Sequence, residues 1–380
     1  MKKIVVISLF DGLSGARVAL DRVDGLEVLR YYSSEIDKYA IKISNKNYPQ
    51  DENYRLGSVI DINAKELLNE IKQDFGDVDI FLVAGSPCQG FSMSGKMKGS
   101  STIDGIKVTT IEQYLDLRNK GFEFDGQSYL FWEWIRIREE INPKYYLLEN
   151  VRISKEWLPM FNYAVGVTPV FINSELLSAQ SRPRYYWTNL DIKIPKNKGI
   201  VLDDILIDLP IEKELSNFMT DDFYGVSRLE KGMFNFTGDK KSKCITVGSG
   251  HGNKYLIKLG EYERHRTETP NKLSRVGTTI DNGNYESSIR VYSKIGKSPT
   301  VMTTCGGGQE IKVDITKSLY RKLTPLECER LQTLPDNYTN CVSNGRRFHA
   351  IGNGFTVDVI SHICKSIVAD KKKPMQKTLF

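Results

Sequence analysis

Short apolar runs, each closed by a polar or glycine-rich turn, punctuate the first half of the chain. Residues 3–9 (K-I-V-V-I-S-L), 79–84 (D-I-F-L-V-A) and 144–148 (K-Y-Y-L-L) are β-branched or aromatic stretches of the length of a buried strand, and Val28 to Tyr32 is a further such run. Between them, Ala64 to Phe75 and Tyr129 to Ile141 place apolar residues at helical spacing. This alternation predicts βαβ units and a parallel sheet covered on both faces.

The turns that follow the strands carry the candidate chemistry. They read Phe10-Asp11-Gly12-Leu13-Ser14-Gly15, Gly85-Ser86-Pro87-Cys88-Gln89 and Glu149-Asn150-Val151. Ligands of open α/β sheets bind outside the carboxyl ends of the strands, so a glycine turn, a thiol and a carboxylate are expected on one rim. Gly12 and Gly15 lack the β-carbon that would keep a ligand from the backbone at a helix start. Glu35, twenty positions past Gly15, stands where a doubly wound sheet places an acid on a ribose. Residues 12 to 17 (G-L-S-G-A-R) miss the G-x-G-x-x-G pattern, which favours a nucleoside ligand without a pyrophosphate. A cysteine is ordinarily a small buried hydrophobe, but Cys88 follows a rigid proline in a polar turn, where a thiol is open to activation.

Composition narrows the class without naming a partner. The 380 residues, 40% hydrophobic and 26% charged, suit one or two globular domains and exclude a disordered or fibrous chain. No run reaches the length of a membrane helix, and Ile4 to Phe10 is too short for the core of a signal peptide, so a cytoplasmic protein is expected. The 6 cysteines form no C-x-x-C pair and the 4 histidines show no ligand spacing with them, which predicts reduced thiols and no metal. The net charge of +6 suits a polyanion such as DNA but does not identify one.

Seven segments in order then resemble the cytosine-5 DNA methyltransferases of bacterial or phage type. They are F-D-G-L-S-G (10–15), S-E-I-D-K-Y-A (34–40), G-S-P-C-Q-G-F-S (85–92), E-N-V-R (149–152), Q-S-R-P-R (180–184), R-K-L-T-P-L-E-C-E-R-L-Q-T-L-P (321–335) and G-N-G-F-T-V-D-V-I (352–360). The resemblance implies a Rossmann-like α/β fold that uses S-adenosyl-L-methionine, with a smaller target-recognition domain. Residues 1–190 would form the main catalytic part and 191–318 the recognition domain. Residues 319–370 would complete the catalytic domain, leaving 371–380 as a tail.

The same resemblance assigns roles. Cys88 would add to carbon 6 of a cytosine flipped out of duplex DNA, Glu149 would act as acid at N3, and Arg184 would hold O2 of the base together with Glu149. Arg182, two positions earlier in what reads as a strand, would support that site or a phosphate from the same face. Gln89 and Ser92 would meet DNA, and the polar stretch Ser92 to Gln127 would close as a mobile loop. For the cofactor, Phe10, Gly12 and Gly15 would lie near methionine and ribose, Glu35 on the ribose hydroxyls and Ile36 against adenine, with Pro87, Leu130 and Asn353 completing the pocket. Two positions depart from the family pattern: Ser58, or nearby Asp61, stands in for an acid that meets the adenine amino group, and Gly354 stands where Ser is common.

Between the arginines and residue 321 two segments look alike, K-S-K-C-I-T-V-G-S-G-H-G-N (241–253) and K-S-P-T-V-M-T-T-C-G-G-G (297–308). Each reads as a basic start, a short strand and a glycine loop. The last residues, Gln376 to Phe380 (Q-K-T-L-F), resemble the peptide by which bacterial proteins dock on the replication sliding clamp. A monomer is expected. Two other functions stay open at this point: an RNA cytosine methyltransferase with the same motifs, and a silent DNA-binding regulator that keeps the fold.

Overall fold

A computed structural model of the chain describes residues 1–87, 91, 100–207, 259–264, 270–279, 290–303, 305, 309–315 and 319–370. Cys88, Gln89 and Ser92, the segment 241–253, Gly306 to Gly308 and the tail with Gln376 to Phe380 lie outside the described residues.

The apolar runs form the middle of one sheet. Strands β1 (Lys2–Leu9), β2 (Leu26–Ser34), β3 (Arg55–Gly57), β4 (Asp79–Gly85), β5 (Tyr145–Asn150), β6 (Val170–Asn173) and β7 (Pro183–Thr188) lie in the order β3-β2-β1-β4-β5-β7-β6. The first five strands are parallel and β7 runs antiparallel to both neighbours. β1 is central, so its side chains are buried on both faces and the strand reads as a continuous apolar run rather than an alternating one. Ile4 and Val6 enter one core; Val5, Ile7 and Leu9 enter the other.

Helices cover each core. Helices α1 (Gly15–Asp21), α2 (Lys38–Asn47) and, from the far end of the chain, α9 (Val357–Val368) lie on the first. On the second lie α3 (Ala64–Phe75), α4 (Ile111–Asn119), α5 (Leu130–Ile141) and α6 (Leu158–Val165). Local chemistry sets their ends: the Asn63 side chain accepts from Glu66 N to start α3, and α5 stops where Asn142 turns left-handed at φ 47°. Helix α9 is tied back by Arg22 Nη1 to Asp358 Oδ1 at 2.8 Å.

Of the stretch expected to be a mobile loop, residues 100–127 are described and folded. Residues 100–127 form two isolated bridges (Ser101 with Lys107, Thr102 with Phe124) and α4. Apolar and aromatic residues of the segment, Val108, Leu117 and Phe124 among them, pack into the second core, and a buried charge adds to this. Glu133 on α5 is fully buried and its carboxylate meets Arg118 Nη1 at 2.7 Å, Arg136 Nη2 at 2.8 Å and the Tyr114 hydroxyl. Arg118 and Tyr114 belong to α4, so this cluster fastens the segment to α5. Removing one member of such a buried cluster leaves the others uncompensated, and Glu133→Ala is expected to cost about 3–5 kcal/mol. Urea unfolding checks it; an unchanged midpoint would show that the cluster does not anchor α4.

A second, smaller sheet of short strands closes as a barrel in the order β10-β11-β12-β8-β9, from β8 (Leu259–Arg264), β9 (Arg275–Thr279), β10 (Arg290–Tyr292), β11 (Lys312–Asp314) and β12 (Leu319–Lys322). The chain then enters α7 (Pro325–Leu331), which starts with a capping box between Thr324 and Glu327, and α8 (Asn344–Asn353). Glu327 also takes a two-pronged, buried pair from Arg321, Nη1 to Oε2 at 2.9 Å and Nη2 to Oε1 at 2.6 Å. Lys297, the basic start of the segment 297–308, is fully buried. Its ammonium donates to the carbonyls of Glu175 at 2.9 Å, Ser178 at 3.2 Å and Ile200, and burial pushes its pKa down.

Candidate active site

The strand order reverses between β1 and β4, which opens a crevice at their carboxyl ends. Three segments expected on one rim meet there. In β5, Glu149 is in register with Gly85 of β4 on one side and Tyr186 of β7 on the other. Its Oε1 pairs with Arg184 Nε at 3.1 Å, and the two side chains are 12% and 13% exposed. Asn150 Nδ2 donates to Ser86 Oγ at 3.1 Å and to Ser86 O at 3.3 Å. This fixes the start of the turn Gly85-Ser86-Pro87, one residue short of Cys88. Tyr186 is buried, and desolvation, then the nearby Glu149 charge, push its phenol far up and keep it neutral.

The turn after β1 is held in an unusual shape. Phe10, Gly12 and Ser14 have φ of 55°, 59° and 61°, a left-handed region that costs energy for Phe and Ser. Asp11, which the motif contained but no role was assigned to, sustains it. Its carboxylate accepts from Ser8 Oγ and Ser14 Oγ, each at 2.6 Å, and from the Tyr31 hydroxyl at 2.5 Å. Burial raises the Asp11 pKa, and the hydroxyl donors only partly oppose it. A raised folded pKa means that the folded state holds its proton to higher pH than the unfolded chain, so stability from this group is full below about pH 4 and falls as pH climbs through the raised value. Asp11→Asn has no such term. The melting temperature of the variant minus that of the wild type is therefore expected to increase as pH rises from about 4; a difference that stays constant from acid to neutral pH would contradict it.

The glycines of the turn serve different ends. A β-carbon on Gly12 would meet nothing within 4 Å, so the backbone is open to a ligand. One on Gly15 would lie 3.6 Å from Phe355 Cβ, so the space over Gly15 is filled by protein. Glu35 sits beside Gly12: its Oε2 accepts Gly12 N at 2.7 Å, and its Oε1 accepts Ile36 N and Asp37 N, each at 2.8 Å. Ile36 is 72% exposed, an apolar face next to that carboxylate. Ser58 follows β3 and spends its hydroxyl on Ile60 N at 3.4 Å, while Asp61 is exposed. Leu130 opens α5 half-buried, Pro87 and Phe10 are half-buried on the rim, and Asn353 is exposed at the end of α8.

The two arginines part company. Arg184 reaches Glu149, whereas Arg182 is 4% exposed and donates Nη2 to Gly352 O and Gly354 O, each at 3.0 Å, and Nη1 to Val301 O at 3.4 Å. Its guanidinium is spent on backbone carbonyls rather than aimed outward at a phosphate, because it precedes β7 where three chain segments converge. Sequence reasoning also passed over Phe355. Its ring atoms Cε1 and Cζ would be 3.0 and 3.2 Å from a β-carbon on Gly85, with Glu149 Oε2 at 3.6 Å from the same point, so the ring closes one wall of the crevice. The departure at Gly354 has a steric reason: a β-carbon there would press on Leu13 Cδ2 at 3.3 Å.

Two solved methyltransferases share this architecture. One from Entamoeba histolytica (EhMeth) superposes with a TM-score of 0.58 at 15% identity, covering 98% of this chain and 100% of that one. A DNA modification methyltransferase encoded within an E. coli prophage gives 0.56 at 20% identity, covering 96% and 99%. The fold is that of the S-adenosylmethionine-dependent methyltransferases. At the level of sequence, the family profile for C-5 cytosine-specific DNA methylases matches residues 4–156 and 170–369. The type II methyltransferase M.HhaI of Haemophilus parahaemolyticus is 27% identical over 376 residues, 95% of this chain and 93% of that protein. M1.ScrFI of Lactococcus lactis subsp. cremoris is 26% identical over 385 residues, 98% and 80%. The chain belongs to the C-5 cytosine-specific DNA methylase family and is a DNA (cytosine-5-)-methyltransferase. Among the described residues no helix is long and apolar enough to cross a membrane.

Proposed function

We propose that the enzyme methylates carbon 5 of a cytosine flipped out of a specific duplex sequence, through a covalent adduct with Cys88. The observation that carries this reading is the Glu149–Arg184 pair at the carboxyl end of β5, in register with Gly85 and hence three residues from Cys88.

Carbon 5 of cytosine is too electron-poor to accept a methyl group directly. The Cys88 thiolate adds to carbon 6, and Glu149 gives a proton to N3 as charge builds on the ring. Arg184 orients that carboxyl and hydrogen-bonds O2 of the base. After transfer a base takes the proton on carbon 5, the electron pair of that bond expels the Cys88 thiolate from carbon 6, and N3 returns its proton to Glu149, which restores the aromatic ring. Because the base cannot react inside the stack, it must be extruded into the crevice. S-adenosyl-L-methionine supplies the methyl group. The residues fit it: the open face of Gly12, the carboxylate of Glu35 for the ribose hydroxyls and the exposed side of Ile36 for adenine. Phe10, Pro87, Leu130 and Asn353 complete that pocket, Gln89 and Ser92 meet DNA, and the region 191–318 reads the sequence.

Bisulfite sequencing of DNA treated with purified protein and S-adenosyl-L-methionine tests this. Protection of one cytosine within a recurring sequence is expected. Absence of protected sites in DNA, with transfer to tRNA instead, would overturn it.

A further inference from the structure

We propose that the charge of Asp11 makes the cofactor pocket prefer a positively charged sulfur, so that the pocket distinguishes the sulfonium substrate from its neutral thioether product. The proposal rests on the reading of the turn after β1 as part of that pocket, and it gives Asp11 a second role beside its hold on the turn.

A carboxylate taken out of water is costly unless a cation or several donors meet it. Asp11 is 3% exposed, and the side chains that donate to it are all uncharged: Ser8 Oγ and Ser14 Oγ at 2.6 Å and the Tyr31 hydroxyl at 2.5 Å. Three hydroxyls turned toward one carboxyl group suit its ionised form, which only accepts. They hold the charge without cancelling it. The donors are braced in turn, since Ser14 Oγ lies 2.6 Å from Ser44 Oγ on α2. Arg17, whose guanidinium lies 6.0 Å from the centre of the Tyr31 ring, is matched to other acids, Asp51 at 3.1 Å and Asp21.

The place of this charge gives it a use. Asp11 stands between Phe10 and Gly12, and the space over Gly12 is open, with nothing within 4 Å of a β-carbon there. Glu35, assigned above to the ribose hydroxyls, accepts Gly12 N at 2.7 Å, and its charge is near enough to act on Asp11. Its other oxygen is taken by the backbone N–H groups of Ile36 and Asp37, so Glu35 too is held by uncharged donors. Asp37 adds a third acid, which caps α2 through Tyr39 N at 2.7 Å and Ala40 N at 3.1 Å. In S-adenosyl-L-methionine the sulfur joins the ribose to the methionine chain, so a turn that lies along both runs beside the sulfonium. When the methyl group is transferred, sulfur keeps the electron pair of the broken bond and loses its charge. The attraction to Asp11 is present for the substrate and absent for the product, and specificity is such a difference of affinities.

Calorimetric binding of S-adenosyl-L-methionine, sinefungin and S-adenosylhomocysteine to the full chain without DNA tests this. The first two carry a positive charge at the reacting position, as a sulfonium and as a protonated amine, and the third carries none. Asp11→Asn is expected to weaken both cations by about three- to tenfold relative to S-adenosylhomocysteine, as expected when one charge acting through a partly buried site is lost. Ser14→Ala is the control. It removes a donor that shapes the turn but keeps the charge, so it should weaken the three ligands alike and leave their ratios at the wild-type values. A merely structural Asp11 would behave in the same way, and equal losses for the three ligands on Asp11→Asn overturn the proposal. If Asp11→Asn does not fold, Asp11→Ser removes the charge while keeping a hydroxyl and is read by the same ratios. Unchanged ratios with all three ligands bound sink only this inference, whereas a wild-type protein that binds none of the three sinks the reading of the pocket on which it rests.

Discussion

Cys88→Ser is expected to abolish methyl transfer, by a factor on the order of 10⁴ or more, while S-adenosylhomocysteine still binds with nearly wild-type affinity. A serine hydroxyl is a far poorer nucleophile at neutral pH than a thiol, of which a few per cent is already ionised. The cofactor surface assigned to Gly12, Glu35 and Ile36 lies on the turns after β1 and β2, and the substitution leaves those turns untouched. The turn before Cys88 also remains in place, since Asn150 holds Ser86 through both its hydroxyl and its carbonyl. A second arm isolates the covalent step. Duplex DNA with 5-fluorocytosine at the methylated position should trap wild-type protein as a denaturant-resistant adduct, because fluorine cannot leave as the proton does, and Cys88→Ser should give none. Near-normal turnover by the serine variant, or no adduct at a verified site, would remove Cys88 from the mechanism.

What was legible in the sequence follows from how parallel sheets are built. β1, β4 and β5 are buried on both faces, so each is written as a continuous apolar run that ends abruptly at a polar turn, and the ends of those runs are the rim. Glu149 is conspicuous as a charged residue right after an apolar run, whereas Arg184 is reached only through the Q-S-R-P-R segment that resembles the family. The partners of Arg182 are not legible, because the carbonyls it holds lie 119 to 172 positions further along the chain and backbone acceptors leave no residue-type signature. Lys297 shows the same limit: the sequence marks it only as the basic start of a segment, and the carbonyls of three other residues that hold it inside leave no trace there. The stretch 100–127 looks like a loop because its apolar residues are scattered among polar and glycine positions; in the fold Val108, Leu117 and Phe124 join the second core, while Arg118 and Tyr114 meet Glu133 on α5. Phe355 carries no reactive group, so nothing short of its place between Gly15 and Gly85 marks it as part of the site.

Glu149→Gln is expected to slow methyl transfer by about 10² to 10⁴ while duplex binding changes little. The amide keeps the size of the side chain and retains an oxygen to accept Arg184 Nε, so the crevice should hold its shape. It cannot give up a proton to N3, however, and the charge that builds on the ring as the thiol adds is left uncompensated. The loss should therefore appear in single-turnover chemistry rather than in the dissociation constant for DNA. Arg184→Met is expected to be comparably harmful by a different route. The Glu149 carboxylate, 12% exposed, would lose its cationic partner and with it the orientation that aims it at the base. Because the pair acts as a unit, the double variant should be little worse than the more damaged single one, an interaction that a double-mutant cycle on the single-turnover rate measures directly. Fully additive losses would mean that Arg184 contacts the base independently of Glu149, and the pairing seen across β5 and β7 would then be packing alone.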